Sequence, residues 1–177
     1  MSNRQTSVPQ WLALTVSALV IAGDRVSKMA IQHSINSFDA VSVIAGWLRI
    51  VHTENPGAAF GVLAEGNPFL RSAVLIGVSA AVLVFVALAL WGRGSSFNTP
   101  LTRVGLSLIL GGAIGNLYDR VLYGAVTDFI EVYHGAWSFP AFNVADSAIT
   151  VGAVLLMIDL LRARRRQVEE RATFAHK

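Results

Sequence analysis

The sequence contains no cysteine, which excludes disulfides, thiolate metal sites and cysteine nucleophiles together. Charge is scarce as well: 14% of the 177 residues are Asp, Glu, Lys or Arg, against 54% hydrophobic. The four histidines, His33, His52, His134 and His176, show no metal-ligand spacing, so neither a metal nor another cofactor is expected. No glycine-serine elbow that would expose a hydrolytic serine is present. Most of the net charge of +3 lies in one tail, Arg162-Ala163-Arg164-Arg165-Arg166, and so forms no nucleic-acid-binding face.

What the chain has is apolar length. Mean hydropathy is +0.55, and four stretches reach the roughly 20 residues that cross a bilayer as helix. They cover residues 11–31, 69–91, 101–122 and 142–161. The expected fold is an all-α membrane protein, one domain over 1–177, with four transmembrane helices. The first stretch is read as a retained span, because a single arginine precedes it and the apolar pattern resumes after Asp24 with Val26, Met29 and Ile31. Basic residues set the orientation: Arg4 precedes span one, Arg93 and Arg103 flank the link between spans two and three, and the basic tail 162–177 follows span four. All three places are expected on the cytoplasmic side, with both termini.

The two remaining connections then lie outside the cytoplasm. Residues 35–66 are long for such a link. Phe38–Val43 and Leu48–Thr53 are rich in β-branched and large side chains and flank Gly46, which predicts a small sheet or hairpin. Asn55-Pro56 fits a cap and first helical position with Gly66 as a stop, giving a short amphipathic surface helix with Phe60, Val62 and Leu63 on its apolar side. A plain connecting turn is the other reading.

Polar residues placed against the apolar pattern mark the candidate site. Asp146 falls in the first turns of span four, on a stripe with Asn143 and Thr150. An aspartate at a span's centre costs about 2.5–3.5 kcal/mol on insertion scales, so one retained in a span faces a bundle interior, a cavity or a partner. In the connection before it, Val126, Asp128, Ile130 and Val132 alternate with Thr127, Phe129, Glu131 and Tyr133, so an extended chain aims Asp128 with three aliphatic side chains. In span three, Gly111 and Gly115 form a small-xxx-small pair for close helix approach. Asn116, Asp119 and Arg120 share roughly one face just beyond; Arg120 either snorkels or serves the site. Asp24 and Lys28, four apart in span one, pair either as an interfacial ion pair or as a substrate anchor. Asp159 reads as an interfacial residue beside the basic tail, without a chemical role.

Two carboxylates in one low-dielectric pocket share a proton, so one can take a proton from water while the other polarises a peptide carbonyl. In a chain lacking cysteine, a serine elbow and a metal cluster, this is the hydrolytic chemistry best supported. A proton-coupled transporter using Asp24, Asp128 and Asp146 as a relay is the alternative, disfavoured by four spans with no inverted-repeat signal.

The blocks Asn55-Pro-Gly-Ala-Ala-Phe60, Gly111-Gly-Ala-Ile-Gly-Asn-Leu-Tyr-Asp-Arg120, Val126-Thr-Asp-Phe129 and Phe142-Asn-Val-Ala-Asp-Ser147, with Asp24 and Lys28, occur in order over about residues 11–162. Together they resemble bacterial lipoprotein signal peptidase, or signal peptidase II. The resemblance implies an aspartyl endopeptidase of the bacterial cytoplasmic (inner) membrane that cuts diacylglyceryl-modified prolipoproteins before the lipidated lipobox cysteine. It implies catalysis by Asp128 and Asp146, and substrate binding by Asn55, Asn116, Arg120 and Asn143, with Asp24 and Lys28 beside them. It also implies a sheet and surface helix that close over the pocket, membrane lipid as surroundings, and inhibition by globomycin-type cyclic peptides.

The orientation has a direct check. A reporter active only in the cytoplasm, fused after Trp137, should be silent, because residues 123–141 are expected outside it; a bright fusion would reverse the topology.

Overall fold

The computed structural model describes residues 9–37, 39–57, 67–91 and 99–175. Helix α1 (Gln10–Ser34) leads into strands β1 (Ala40–Ile44) and β2 (Leu48–Asn55); α2 (Pro68–Trp91) and α3 (Pro100–Tyr123) follow, then β3 (Val126–His134), β4 (Trp137–Ser138) and α4 (Val144–Ala175). Three of these helices, α2, α3 and α4 as far as Val168, are long and apolar enough to cross a membrane. The fourth, α1, is of similar length but carries Asp24, Arg25 and Lys28 within it.

The two non-cytoplasmic connections of the sequence reading build one antiparallel sheet, in the order β1-β2-β3-β4. The β1–β2 hairpin turns through Gly46 at φ +78°, a left-handed conformation that favours glycine. β2 runs beyond the expected Thr53 through Glu54 to Asn55, so Asn55 is the last residue of a strand. The expected surface helix falls largely on residues 58–66, outside the described residues. Pairing of β2 with β3 sets Arg49 opposite Glu131, where the guanidinium grips the carboxylate with two hydrogen bonds of 2.6 and 3.0 Å and holds it below its ordinary pKa. The alternation read for residues 126–133 does not describe burial at the start of β3. Val126, Thr127, Asp128 and Phe129 are all buried, because this end of the strand meets α1 and α3 as well as β2.

Helix α3 is the centre of the bundle, in contact with each of the other three helices. Thr99 caps its start by accepting the Thr102 N–H, Pro100 occupies its first turn, and Gly124 closes it at φ +75°. Small residues allow the close approach. A Cβ on Gly111 would lie 2.8 Å from the Ser17 carbonyl of α1, one on Gly115 would lie 2.7 Å from Asp24 Oδ2, and one on Gly112 would overlap the Ala145 carbonyl of α4. The Gly111/Gly115 pair therefore receives α1, while Gly112 and Gly105 receive α4, whose own Gly152 faces Gly105. At the far end of α4, Asp159 accepts hydrogen bonds from the Thr99 and Thr102 hydroxyls at 2.6 and 2.5 Å. It is a tie between α3 and α4, more than the interfacial residue read from the sequence.

Burial is inverted relative to a soluble protein. The inner stripe of α1 includes Ser17, Asp24 and Lys28, whereas Trp11, Leu14, Leu19 and Val26 are exposed. Helix α2 buries only Val86, Ala89 and Leu90, near one end, against Leu106 and Leu110 of α3 and Ala13 of α1. Apolar hydrocarbon around the bundle suits such a surface, leaving packing to small residues and polar contacts.

Gly112→Ala is expected to destabilise the protein by about 1–3 kcal/mol through overpacking, read as a lower thermal midpoint in detergent. Gly77→Ala, where an added Cβ meets nothing within 4 Å, should leave the midpoint unchanged or raise it.

Candidate active site

The site forms where the sheet meets the start of α4. Backbone bonds tie the two together: Phe142 N–H donates to the Ile130 carbonyl at 3.0 Å, and Ile130 N–H donates to the Phe142 carbonyl at 2.8 Å. One residue later, Asn143 caps α4. Its Oδ1 accepts the Asp146 N–H at 2.9 Å, and Asp146 Oδ2 accepts the Asn143 N–H at 3.2 Å. This is a reciprocal capping box with an asparagine and an aspartate in its two places. Asn143 thus precedes the helix, where the sequence reading had placed it on a helical stripe with Asp146 and Thr150.

The same asparagine reaches the other acid. Asn143 Nδ2 donates to Asp128 Oδ1 at 2.7 Å, and Asn55 Nδ2 donates to Asp128 Oδ2 at 2.9 Å. Asn55 arrives there because β2 and β3 are paired, with Thr53 opposite Asp128 and Asn55 opposite Val126. Its own Oδ1 accepts the Gly57 N–H at 3.0 Å, which turns its NH2 group toward Asp128. Asn116 of α3 completes the set, donating from Nδ2 to Asp146 Oδ1 at 2.7 Å. Three asparagine amides therefore present N–H groups to two aspartates in a place that water scarcely reaches. Asp128 is 3% exposed; burial, reinforced by the nearby Asp146 charge, pushes its pKa up to about 6 against the lowering effect of Asn55 and Asn143.

A cavity of about 710 Å³ opens on this pair. Asn55, Arg120, Asp128 and Asp146 supply its polar wall, and Phe139, Phe142, Ile149 and Val151 are among its apolar residues. Arg120 is held by a 3.3 Å bond from Nη1 to the Asn116 carbonyl, while its buried Nε has no partner among the described residues. It lies on the wall of the same cavity as the two acids.

Behind the cavity lies a buried ionic cluster. Lys28 Nζ is 2.7 Å from both Asp24 Oδ2 and Asp119 Oδ2 and donates to Asn116 Oδ1 at 3.1 Å. Asp24 Oδ1 accepts the Ala145 N–H at 2.9 Å, placing a carboxylate at the start of α4, where the helix dipole favours it. The ion pair read from the sequence is present, but it is internal instead of interfacial. With Asp24 1% and Lys28 0% exposed and neither on the cavity wall, the expected substrate contact by these two residues is not available to them.

Asp119 was recognised in sequence only as sharing a face with Asn116. It is 1% exposed, and Arg25 binds its outer side at 3.0 Å with the guanidinium about 5 Å from the Tyr118 and Tyr123 ring centres. Asp24 and Lys28 at spacing four signalled one partner each; the third member was hidden because nothing local shows that α1 packs on α3. No group of three or more metal-ligating side chains occurs among the described residues.

The fold and site define a helical membrane protein whose one cavity wall gathers two acids under three asparagines. The family model described as signal peptidase (SPase) II matches residues 16–162, and the chain belongs to that peptidase family. Similar proteins named lipoprotein signal peptidase include that of Solibacter usitatus, 43% identical over 89% of this chain and 94% of the relative. Another, from Pseudomonas syringae pv. tomato, is 40% identical over 93% of each. A bacterial membrane enzyme solved by the in meso method at 2.3 Å superposes with a TM-score of 0.79 at 30% identity, covering 90% of this chain and 93% of that one.

Proposed function

We propose that this chain is an aspartyl endopeptidase that removes signal peptides from diacylglyceryl-modified prolipoproteins, cutting before the lipidated cysteine. The observation that carries the reading is the convergence of Asp128 and Asp146 on Asn143 at the wall of a cavity. The relatives named lipoprotein signal peptidase support the substrate class.

In this mechanism Asp128 holds the shared proton, in line with its raised pKa, and Asp146 is ionised between the N–H groups of Asn116 and Asn143. Asp146 takes a proton from water as the hydroxyl adds to the scissile carbonyl. Asp128 gives its proton to the carbonyl oxygen. Collapse of the tetrahedral intermediate returns that proton to Asp128, breaks the C–N bond and passes the proton on Asp146 to the departing amine. Arg120, with a buried Nε–H still to be satisfied, hydrogen-bonds the substrate backbone. A globomycin-type cyclic peptide would occupy the same cavity.

Helix α1 serves as the fourth span. Its charged side chains Asp24 and Lys28 are buried and mutually paired while the outward side chains are apolar, which is how ionisable groups are accommodated in a bilayer. With both termini cytoplasmic, the acids then sit near the outer face of the cytoplasmic membrane. The transporter alternative is weaker, since Asp24 is committed to Lys28 and the Ala145 N–H and cannot relay protons toward the other two acids.

Purified protein in detergent should cleave a lipid-modified precursor, and Asp128→Asn or Asp146→Asn should each abolish cleavage without loss of insertion. Groups that act as one unit are non-additive, so the double variant should be no worse than either single one. More than a few per cent of the rate in either variant would defeat the dyad. Because Asp128 works protonated and its pKa is about 6, kcat/KM, which reports the free enzyme, should fall as pH rises through that region; a flat profile from pH 5 to 8 would remove Asp128 as the proton donor.

A further inference from the structure

We propose that Lys28 is a positioning residue for the dyad: by occupying Asn116 Oδ1 with a donor, it forces the Asn116 NH2 group to face Asp146. The inference rests on the catalytic reading above. A side-chain amide is nearly symmetric in shape, and a half-turn about its last bond exchanges oxygen for NH2. For Asn143 and Asn55 that choice is made by backbone N–H groups, of Asp146 and Gly57. Asn116 lies inside the helical run of α3, and among the described residues its oxygen faces no backbone N–H; what it meets is Lys28 Nζ at 3.1 Å and Asn143 Nδ2 at 3.4 Å. An ammonium group has three protons and nothing with which to accept, so the oxygen must face it.

The geometry around Lys28 makes this control firm. Nζ touches Asp24 from its own helix and Asp119 from α3, each at 2.7 Å, so the two carboxylates fix its direction. Between those two ion pairs, Nζ also donates a hydrogen bond to Asn116 Oδ1. Lys28 has 0% exposure and does not line the cavity, so it makes no contact with substrate. Were the Asn116 amide reversed, its oxygen would confront Asp146 Oδ1 at the present 2.7 Å contact, acceptor against acceptor. Asp146 would lose one of the N–H donors that hold it ready to take a proton from water. The charged groups facing the two carboxylates are then Lys28 from α1, Arg120 from α3 and each other.

The test is a double-mutant cycle with steady-state kinetics on the purified full chain. Lys28→Met should lower kcat roughly 10- to 100-fold, the range for losing one hydrogen bond to a charged group, and leave KM within about twofold. Asn116→Ala should lower kcat similarly, and Lys28→Met/Asn116→Ala should match Asn116→Ala alone. Lys28→Arg, which also only donates, should retain more activity than Lys28→Met. If the two losses instead multiply in the double variant, or if Lys28→Met raises KM and spares kcat, Lys28 does not act through the Asn116 amide. Should Lys28→Met fail to accumulate, Lys28→Met/Asp24→Asn removes the carboxylate left without a cation, Asp119 keeping Arg25, and enters the cycle in its place, with the same two outcomes. Asp128→Asn assayed in parallel separates the two ideas: activity there defeats the catalytic reading, whereas an inactive Asp128→Asn beside multiplicative losses defeats the positioning role alone.

Discussion

The reciprocal hydrogen bonds between Asn143 and Asp146 are the contact on which the site depends. They start α4, fix the direction in which Asp146 leaves it, and leave Asn143 Nδ2 free to bind Asp128 on the sheet. A helix start always leaves backbone N–H groups without intrahelical partners. In water those groups cost little, but where water is excluded each must be met by the protein. Here Asp146 satisfies that of Asn143, Asn143 that of Asp146, and Asp24 from α1 that of Ala145. Capping the helix and placing the carboxylates are thus one act, performed by the same atoms.

This solution requires α1, α3 and α4 to lie very close. The glycines of α3 make that distance possible, since an added Cβ at Gly111, Gly112 or Gly115 would run into α1 or α4. Gly115 faces the Asp24 carboxylate itself, so the small residue makes room for a charge as well as for a neighbouring helix. Buried ionic clusters are costly to desolvate and strongly destabilising to break. The cluster of Asp24, Lys28 and Asp119 limits the cost by having each charge matched at 2.7 Å.

Much of this arrangement was legible in the chain. Long apolar runs gave the helix boundaries within a few residues, because hydrocarbon thickness sets a length that composition displays, except that α4 continues past the expected 161 through the basic tail to Ala175. Asp128 and Asp146 stood out because each interrupts an apolar pattern. Less legible was everything that depends on a partner distant in sequence. The pairing of β2 with β3 brings Asn55 to Asp128 across residues 56–127, and no local periodicity encodes it. Asn55-Pro56 reads as a helix start, since an asparagine followed by proline suits one, and nothing local in it shows that Asn55 also ends a strand. The burial of Asp24 and Lys28 was hidden for a similar reason: a pair at spacing four looks the same at an interface as in a core.

The cavity has a consequence for how the enzyme meets its substrate. Its wall continues from the two acids past Ile149 to Thr150 and Val151, which lie on the outward face of α4, Val151 being 51% exposed. An opening on the flank of a spanning helix faces lipid, so under the proposed function a substrate anchored by its own acyl chains would reach the site by diffusing within the bilayer plane. The concentration governing encounter is then a surface density. Saturation would follow the ratio of substrate to lipid, and diluting a vesicle suspension with buffer would leave the rate per enzyme unchanged while diluting its membrane with inert phospholipid would slow it.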